Sequence, residues 1–397
     1  MYLANENSFL DIFCEKVNHH GEMVCGDVFL SRRYKEEGRT IIVLSDGMGS
    51  GIKANVLASI TASMALNFTL EHREVCKSAK IIMDTLPVCS QRGTSYSTFT
   101  IVDIEDDGYT TIVEYDNPGS VILREDTFFD PGWEKIPLES EKYKNKHIKT
   151  CSFYGKKEDR ILFWSDGVVQ AGMGSKKYPY GWGRDAVLKV LPEIITGNPA
   201  ISSSKLARRI VSTALRLDGG DAKDDTSAAV VYFREPRKLL LVSGPPFNDK
   251  TDHSFAKKVE RFDGKKIIAG GTTAQIIARE LSLHFEQHTN RVDSDLPPIS
   301  YIQGIDLVTE GILTLSKVLS SLEEMKSDTR LKYGAADQIV RLFIESDRIH
   351  IINGTRINMA HQDPELPFEL EMRKSIIKRL VTVLESKFLK EVTVEYV

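Results

Sequence analysis

The sequence predicts an α+β fold: a two-sheet sandwich with helices outside, followed by a smaller α/β domain with a mostly parallel sheet. Three observations carry this. Strand-like segments dominate residues 8–48, and two helical segments and further strands follow, the order expected of packed sheets with helices outside. Two short apolar runs, Ile41-Ile42-Val43-Leu44 and Ile161-Leu162-Phe163-Trp164, each end in Ser-Asp-Gly. Such runs are buried strands, and an Asp at a strand end with Gly behind it is rigidly placed. Beyond Arg234-Glu235-Pro236-Arg237 the pattern changes to strand, loop, helix, repeated, which is the signature of a parallel sheet.

In chain order, Asp11–Val17 alternates as a strand. Residues 27–46 hold a strand, the polar turn Tyr34-Lys35-Glu36-Glu37-Gly38-Arg39 and a return strand. Asp27 and Asp46, nineteen positions apart, are therefore expected on paired neighbouring strands. From Lys53 the apolar period becomes three and four, through Ala54, Leu57, Ala58, Thr61, Ala62, Ala65 and Leu66, which is a helix face. A second helix is expected from Val75 to Leu86. Strands return over 96–124 and 148–164. Residues 184–215 are helical, split at Thr196-Gly197-Asn198-Pro199, and Asp224-Asp225 opens a last strand.

The expected boundary gives domains 1–235 and 236–397. In the second, strands at 238–242, 266–269, 305–308 and 349–352 end in Ser243-Gly244-Pro245-Pro246, Gly270-Gly271-Thr272-Thr273, Thr309-Glu310-Gly311 and Asn353-Gly354-Thr355. Helices are expected at 274–285, 312–325 and about 365–389, the last with Met372, Ile376, Leu380 and Leu384 on one face, and a final strand at 391–396.

Composition narrows the class. The chain has 397 residues, 41% hydrophobic and 27% charged, with a net charge of −4. These values are ordinary for a globular protein and give no electrostatic case for nucleic acid. No apolar run approaches a membrane span, and the first residues lack the basic and apolar regions of a secretion signal. Five cysteines, at 14, 25, 76, 89 and 151, form no Cys-x-x-Cys pair, so reduced thiols and a cytoplasmic location are expected.

The chemistry-bearing residues are acidic. Asp27, Asp46, Asp166 and the pair Asp224-Asp225 each lie at a strand end, and oxygen-only sets suit Mg²⁺ or Mn²⁺. One Asp-Gly is an ordinary turn; the ordered set is harder to dismiss. Asp221 reads as turn chemistry, and His19-His20 as a turn before Gly21. His284 and His288 fall at i, i+4 on an expected helix, where Glu286 does not match a zinc protease.

The order Cys25-Gly26-Asp27-Val28-Phe29, Ser45-Asp46-Gly47-Met48-Gly49-Ser50-Gly51, Ser165-Asp166-Gly167, Asp224-Asp225-Thr226-Ser227 resembles the metal-dependent protein phosphatase (PPM) family, and within it the bacterial SpoIIE-type branch. Ser97–Ile104 looks like the central strand of that branch, and Asn117-Pro118-Gly119 like its Asn-x-Gly loop. The branch often has His-x-Pro after this loop; here Ser120-Val121-Ile122 follows. The resemblance covers residues 8 to 234.

It implies an αββα sandwich and a phosphoserine/phosphothreonine protein phosphatase acting through a water activated by two Mn²⁺ or Mg²⁺ ions. By the same resemblance Asp27 and Asp46 bridge the metals, the Gly47 carbonyl supports the first, and Asp166 and Asp224 bind the second. Asp225 stands where the wider family often has Asn, and either ligates or hydrogen-bonds a ligand. The implied substrate is a phosphoprotein such as an anti-sigma antagonist-like protein, and the implied control acts through helices near residues 53–86.

No family is recognised for the second half. It is expected to serve as a regulatory or ligand-binding domain, with Gly270, Gly271, Thr272 and Thr273 holding a small anionic ligand at a helix N-terminus. The competing expectations are a catalytically inactive phosphatase-fold scaffold, and a bifunctional protein whose second half binds or acts on a phosphorylated or nucleotide metabolite.

Overall fold

A computed structural model of the chain describes residues 9–34, 36–71, 80–83, 85, 97–138, 146–287, 300–325, 331–356, 366–388 and 390–397, without the side chains of 287 and 366–370. The chain divides into two compact units, Met1–Glu235 and Pro236–Val397.

In the first unit two antiparallel sheets face one another. One has the order β1 (Phe9–Val17), β11 (Thr226–Arg234), β10 (Asp159–Trp164), β6 (Val121–Arg124), β7 (Thr127–Phe129). The other runs β2 (Asp27–Tyr34), β3 (Arg39–Gly47), β4 (Ser97–Glu105), β5 (Tyr109–Tyr115), β9 (His147–Tyr154), β8 (Glu134–Pro137). Ile42, Leu44, Val102, Ile112, Ile161, Phe163, Ala229 and Val231 fill the space between them.

The unbroken apolar run of β3 follows from its position. Ile42 and Leu44 face the second sheet, while Ile41 and Val43 face helix α1 (Gly51–Glu71). A strand covered on both sides has no polar face to alternate, and each such fully buried side chain contributes about 1.5–3 kcal/mol. Ala54, Ala58, Ala62, Ala65 and Leu66 of α1 are buried, at the spacing read from the sequence. Arg39 secures the far end of α1. Its guanidinium donates to the carbonyl of Thr69 at 3.0 Å and to Asp103 Oδ1 at 3.2 Å, so orphan helix carbonyls meet a cation.

On the outer face of the other sheet pack α3 (Arg184–Gly197) and α4 (Ser203–Leu217), through Leu191, Ile195, Leu206 and Ile210. The layers are helix, sheet, sheet, helix. The helix expected at 75–86 lies mostly outside the described residues; 80–83 and 85 are helical.

The second unit has the sheet order β14 (Phe285–Gln287), β15 (Ser300–Ile302), β16 (Leu307–Thr309), β13 (Lys265–Ala269), β12 (Lys238–Ser243), β17 (Arg348–Asn353), β18 (Glu391–Tyr396). From β16 to β18 every pairing is parallel, and β14 and β15 are antiparallel additions. Helices α5 (Asp252–Arg261) and α6 (Gly271–Glu280) pack on the face carrying Leu240, Val242 and Ile268. Helices α7 (Ile312–Glu324), α8 (Ala335–Glu345) and α9 (Leu366–Ser386) pack on the face carrying Leu239, Leu241 and Ile351. The sheet is doubly wound.

Three expectations are corrected here. The helix placed at 274–285 stops at Glu280, because Ser282 adopts φ 54° and breaks it. Phe285–Gln287 is a strand, so His284 is not on a helix; it pairs with Glu286 at 3.1 Å, and His288 lies outside the described residues. Asp166, expected at a strand end with a tight turn behind it, opens a short helix, α2 (Asp166–Gln170).

Candidate metal centre

Asp27 is the first residue of β2 and Asp46 the last but one of β3, and the antiparallel register sets them directly opposite each other. Alternation puts both on the face of Phe29 and Leu44, between the sheets. Asp27 is fully buried.

The facing sheet supplies the other carboxylates. Asp166 follows β10 and Asp224-Asp225 precedes β11, and Ser165 stitches these ends together. Its N–H donates to the Ser227 carbonyl at 3.0 Å. Its Oγ accepts from the Ser227 N–H at 2.9 Å and donates to the Asp225 carbonyl at 3.3 Å.

Glycines make the approach feasible. A Cβ on Gly167 would lie 2.3 Å from the Asp225 carbonyl oxygen, and one on Gly26 would lie 2.6 Å from Asp225 Oδ2. A Cβ on Gly47 would meet the Ala54 carbonyl oxygen at 2.1 Å, so β3 turns directly against the first turns of α1.

The electrostatics are those of crowded acids. Burial pushes the Asp27 carboxyl up to about 7, and repulsion from Asp225 and Asp166 adds to the rise. Asp46 is raised well above the usual carboxylate range by burial and by Asp27, Asp166 and Asp224. Burial also raises Asp166, and with Asp166 and Asp225 nearby lifts Asp224 to about 6.

Among the described residues, none of the five carboxylates is in an ion pair, and both Asp27 oxygens and Asp225 Oδ2 are buried without a hydrogen-bond partner. Lys16 reaches the Asp27 backbone carbonyl at 3.1 Å. An all-oxygen, anionic, under-neutralised set fits a hard divalent cation. The side chains converge without closing: no three acidic, His or Cys side chains of the described residues already surround one point as a metal shell.

Several contributors escaped the sequence reading. Gln170 Nε2 donates to Asp166 Oδ2 at 2.6 Å; the i, i+4 spacing was the available signal. The His19 N–H donates to Asp225 Oδ1 at 3.0 Å, and its ring Nδ1 is buried without a partner among the described residues. Ser97 Oγ donates to the Asp46 carbonyl at 2.8 Å. Asn117, in the Asn-x-Gly loop that the sequence did single out, donates through Nδ2 to Thr100 Oγ1 at 2.8 Å, and its Oδ1 accepts from Thr98, the residue opposite Asp46 on β4. Asp221 is exposed and pairs with His20 at 3.1 Å.

Gly270, Gly271, Thr272 and Thr273 belong to the second unit. Gly271 starts α6, and Glu310 Oε1 lies 3.8 Å from where a Cβ on Gly271 would sit.

The family model of Stage II sporulation protein E (SpoIIE) matches residues 36–234. That span takes in Asp46, Asp166, Asp224 and Asp225 and begins after Asp27. Among solved structures, the phosphatase domain of SpoIIE from Bacillus subtilis is similar at 16% identity and a TM-score of 0.44, covering 58% of this chain and 94% of that one. RsbX in complex with magnesium is similar at 17% identity and 0.40, covering 58% and 96%. The SiaA-PP2C domain of Pseudomonas aeruginosa is similar at 12% and 0.43, covering 56% and 86%. No curated protein matches the chain in sequence.

Proposed function

The chain belongs to the SpoIIE family of protein phosphatases, and from that membership we propose that it hydrolyses phosphoserine and phosphothreonine with two divalent ions, Mn²⁺ or Mg²⁺, held by its carboxylates. Asp27, Asp46 and the Gly47 carbonyl on one sheet, and Asp166 with Asp224 or Asp225 on the other, are the groups that would hold them. What supports this is the opposed pair Asp27 and Asp46 facing Asp166 and Asp224-Asp225 from the second sheet, with no ion pair among them in the described residues.

When bound, two such ions neutralise phosphoryl oxygens and acidify the attacking water. The chain's own part is placement. Ser165 and Ser227 hold the two strand ends in register, Gln170 fixes the Asp166 carboxylate, and Ser97 fixes the Asp46 backbone. The sandwich keeps Asp27 away from bulk water. No protein nucleophile is needed, and Cys14 and Cys25, whose thiols burial pushes well up, are poorly suited to be one.

The substrate is a phosphoprotein of the anti-sigma antagonist kind, and a partner docks on α1. Ile52, Val56 and Ile60 line one side of that helix at 70%, 50% and 50% exposure. An apolar stripe four residues apart suits a partner surface, and the same helix packs on Gly47. The second unit is regulatory. Among the described residues no helix is long and apolar enough to cross a membrane.

The test is hydrolysis of a phosphoserine peptide by the full chain in Mn²⁺ and after chelation. Turnover that stops with chelator and returns with Mn²⁺ is expected. An undiminished rate in chelator contradicts the reading.

A further inference from the structure

The second unit carries a feature unconnected with phosphatase chemistry. Its parallel strands run in the order β16, β13, β12, β17, β18. From β12 the chain winds one way to β13 and β16, then crosses back to β17 and β18, and the helices change face at the same step. The switch point lies between β12 and β17. In doubly wound sheets, ligands bind outside the carboxyl ends of the strands at such a point.

Ser243 and Asn353 are the last residues of those two strands and stand in register with each other. By alternation with Leu239 and Leu241, and with Ile349 and Ile351, both side chains lie on the face covered by α7, α8 and α9. Both are fully buried. Among the described residues Ser243 Oγ, Asn353 Nδ2 and Asn353 Oδ1 have no hydrogen-bond partner. An amide and a hydroxyl buried side by side with nothing to bond cost free energy, and native interiors rarely leave them so.

A guanidinium overhangs the same place. Arg373 Nη1 donates to the Gly354 carbonyl at 3.4 Å and would lie 2.4 Å from a Cβ on Gly244. Glycine at 244, with φ 85°, is what admits it. The strand ends thus offer a cation, an amide with donor and acceptor edges, and a hydroxyl.

We propose that the carboxyl ends of β12 and β17 bind a small anionic metabolite, with Arg373 facing its negative charge and Asn353 and Ser243 bonding its polar edge. The site differs from the anion position that the sequence suggested at Gly270–Thr273. There Glu310 already places a carboxylate beside the start of α6, and a second anion would be repelled. The proposal stands independently of the phosphatase reading.

Calorimetry on the full chain, in chelator so that the carboxylate cluster holds no metal, tests it. ADP serves as the phosphate-bearing probe and 2-oxoglutarate as the carboxylate-bearing one. Saturable binding of either, with one site per chain, is expected. Asn353→Leu and Arg373→Gln should each weaken it by about tenfold or more, a loss of the size a buried polar or charged contact carries. Without probe, Asn353→Leu should melt no lower than the parent, since an apolar isostere removes unpaired groups. Ser243→Ala, a smaller change, gives a second folded variant with weakened binding. Failure of both probes to bind, or equal affinity in parent and variants, overturns the proposal. A lower melting temperature for Asn353→Leu combined with unchanged binding by Ser243→Ala assigns these groups to the fold and overturns it as well.

Discussion

Asp27 and Asp46 stand directly opposite one another where the β2–β3 ladder ends, both turned into the space between the sheets. Like charges placed so are destabilising. The fold holds them there through the β2–β3 pairing and, at Asp46, a backbone bond from Ser97. Such a pair calls for a cation.

The pH dependence of metal-free stability follows. Asp27 is raised to about 7 and Asp224 to about 6, above the unfolded value of 3.8, with burial the largest cause in both. A raised acid contributes stability that is fully present below the unfolded pKa and lost as pH rises through the folded one. In chelator, the melting temperature of the parent relative to Asp27→Asn should therefore fall as pH goes from about 5 to about 8. Saturating Mn²⁺ should flatten that trend. A difference between the two proteins that does not change with pH in chelator would refute the crowded-acid picture.

Gly26→Ala tests the packing beside the pair. The added methyl would sit 2.6 Å from Asp225 Oδ2 and 2.9 Å from the Ala54 Cβ. A loss of roughly 1–3 kcal/mol in denaturant unfolding is expected, as for overpacking elsewhere, together with weaker Mn²⁺ binding. An unfolding midpoint and Mn²⁺ affinity equal to the parent's would show that the contact is relieved without cost.

Gln170→Leu removes the hydrogen bond to Asp166 at nearly constant volume. Partners that orient metal ligands carry about 10–100-fold in affinity, so a calorimetric Mn²⁺ titration should show a loss in that range. Asn at 170 is too short to restore it. Equal affinity in parent and Gln170→Leu would mean that Asp166 needs no orienting amide.

Much of this was legible in the sequence, for identifiable reasons. The runs ending at Asp46 and Asp166 are apolar because both faces of β3 and β10 are covered, and a short polar turn between Asp27 and Asp46 left one sensible pairing. The stitch from Ser165 to Ser227 was not legible, because its partners are sixty-two positions apart. The helix Ala335–Glu345 was overlooked although Ala335, Ala336, Ile339, Val340 and Phe343 have helical spacing. The overrun of α6 has a different origin. Leu281, Leu283 and Phe285 continue the apolar content, but at a period of two, and Ser282 ends the helix through its own backbone.

The stripe on α1 bears on control. Amide hydrogen exchange should differ across residues 53–71 between the full chain and residues 1–236, or between the full chain alone and with its partner protein. Ile52→Asp with Val56→Asp should abolish that difference. Unchanged protection in every comparison would remove α1 from the regulatory account.

The central claim is that the acidic cluster is a two-metal phosphatase centre, and Asp46→Asn meets it most directly. Turnover of a phosphoserine peptide should be measured across a Mn²⁺ titration in parent and variant, with circular dichroism to confirm the fold. Even an outer partner of a metal carries about 10–100-fold, so loss of a bridging carboxylate should lower the rate at saturating Mn²⁺ by more than about a hundredfold while the spectrum is retained. Near-normal turnover of Asp46→Asn under saturating Mn²⁺ would contradict the account.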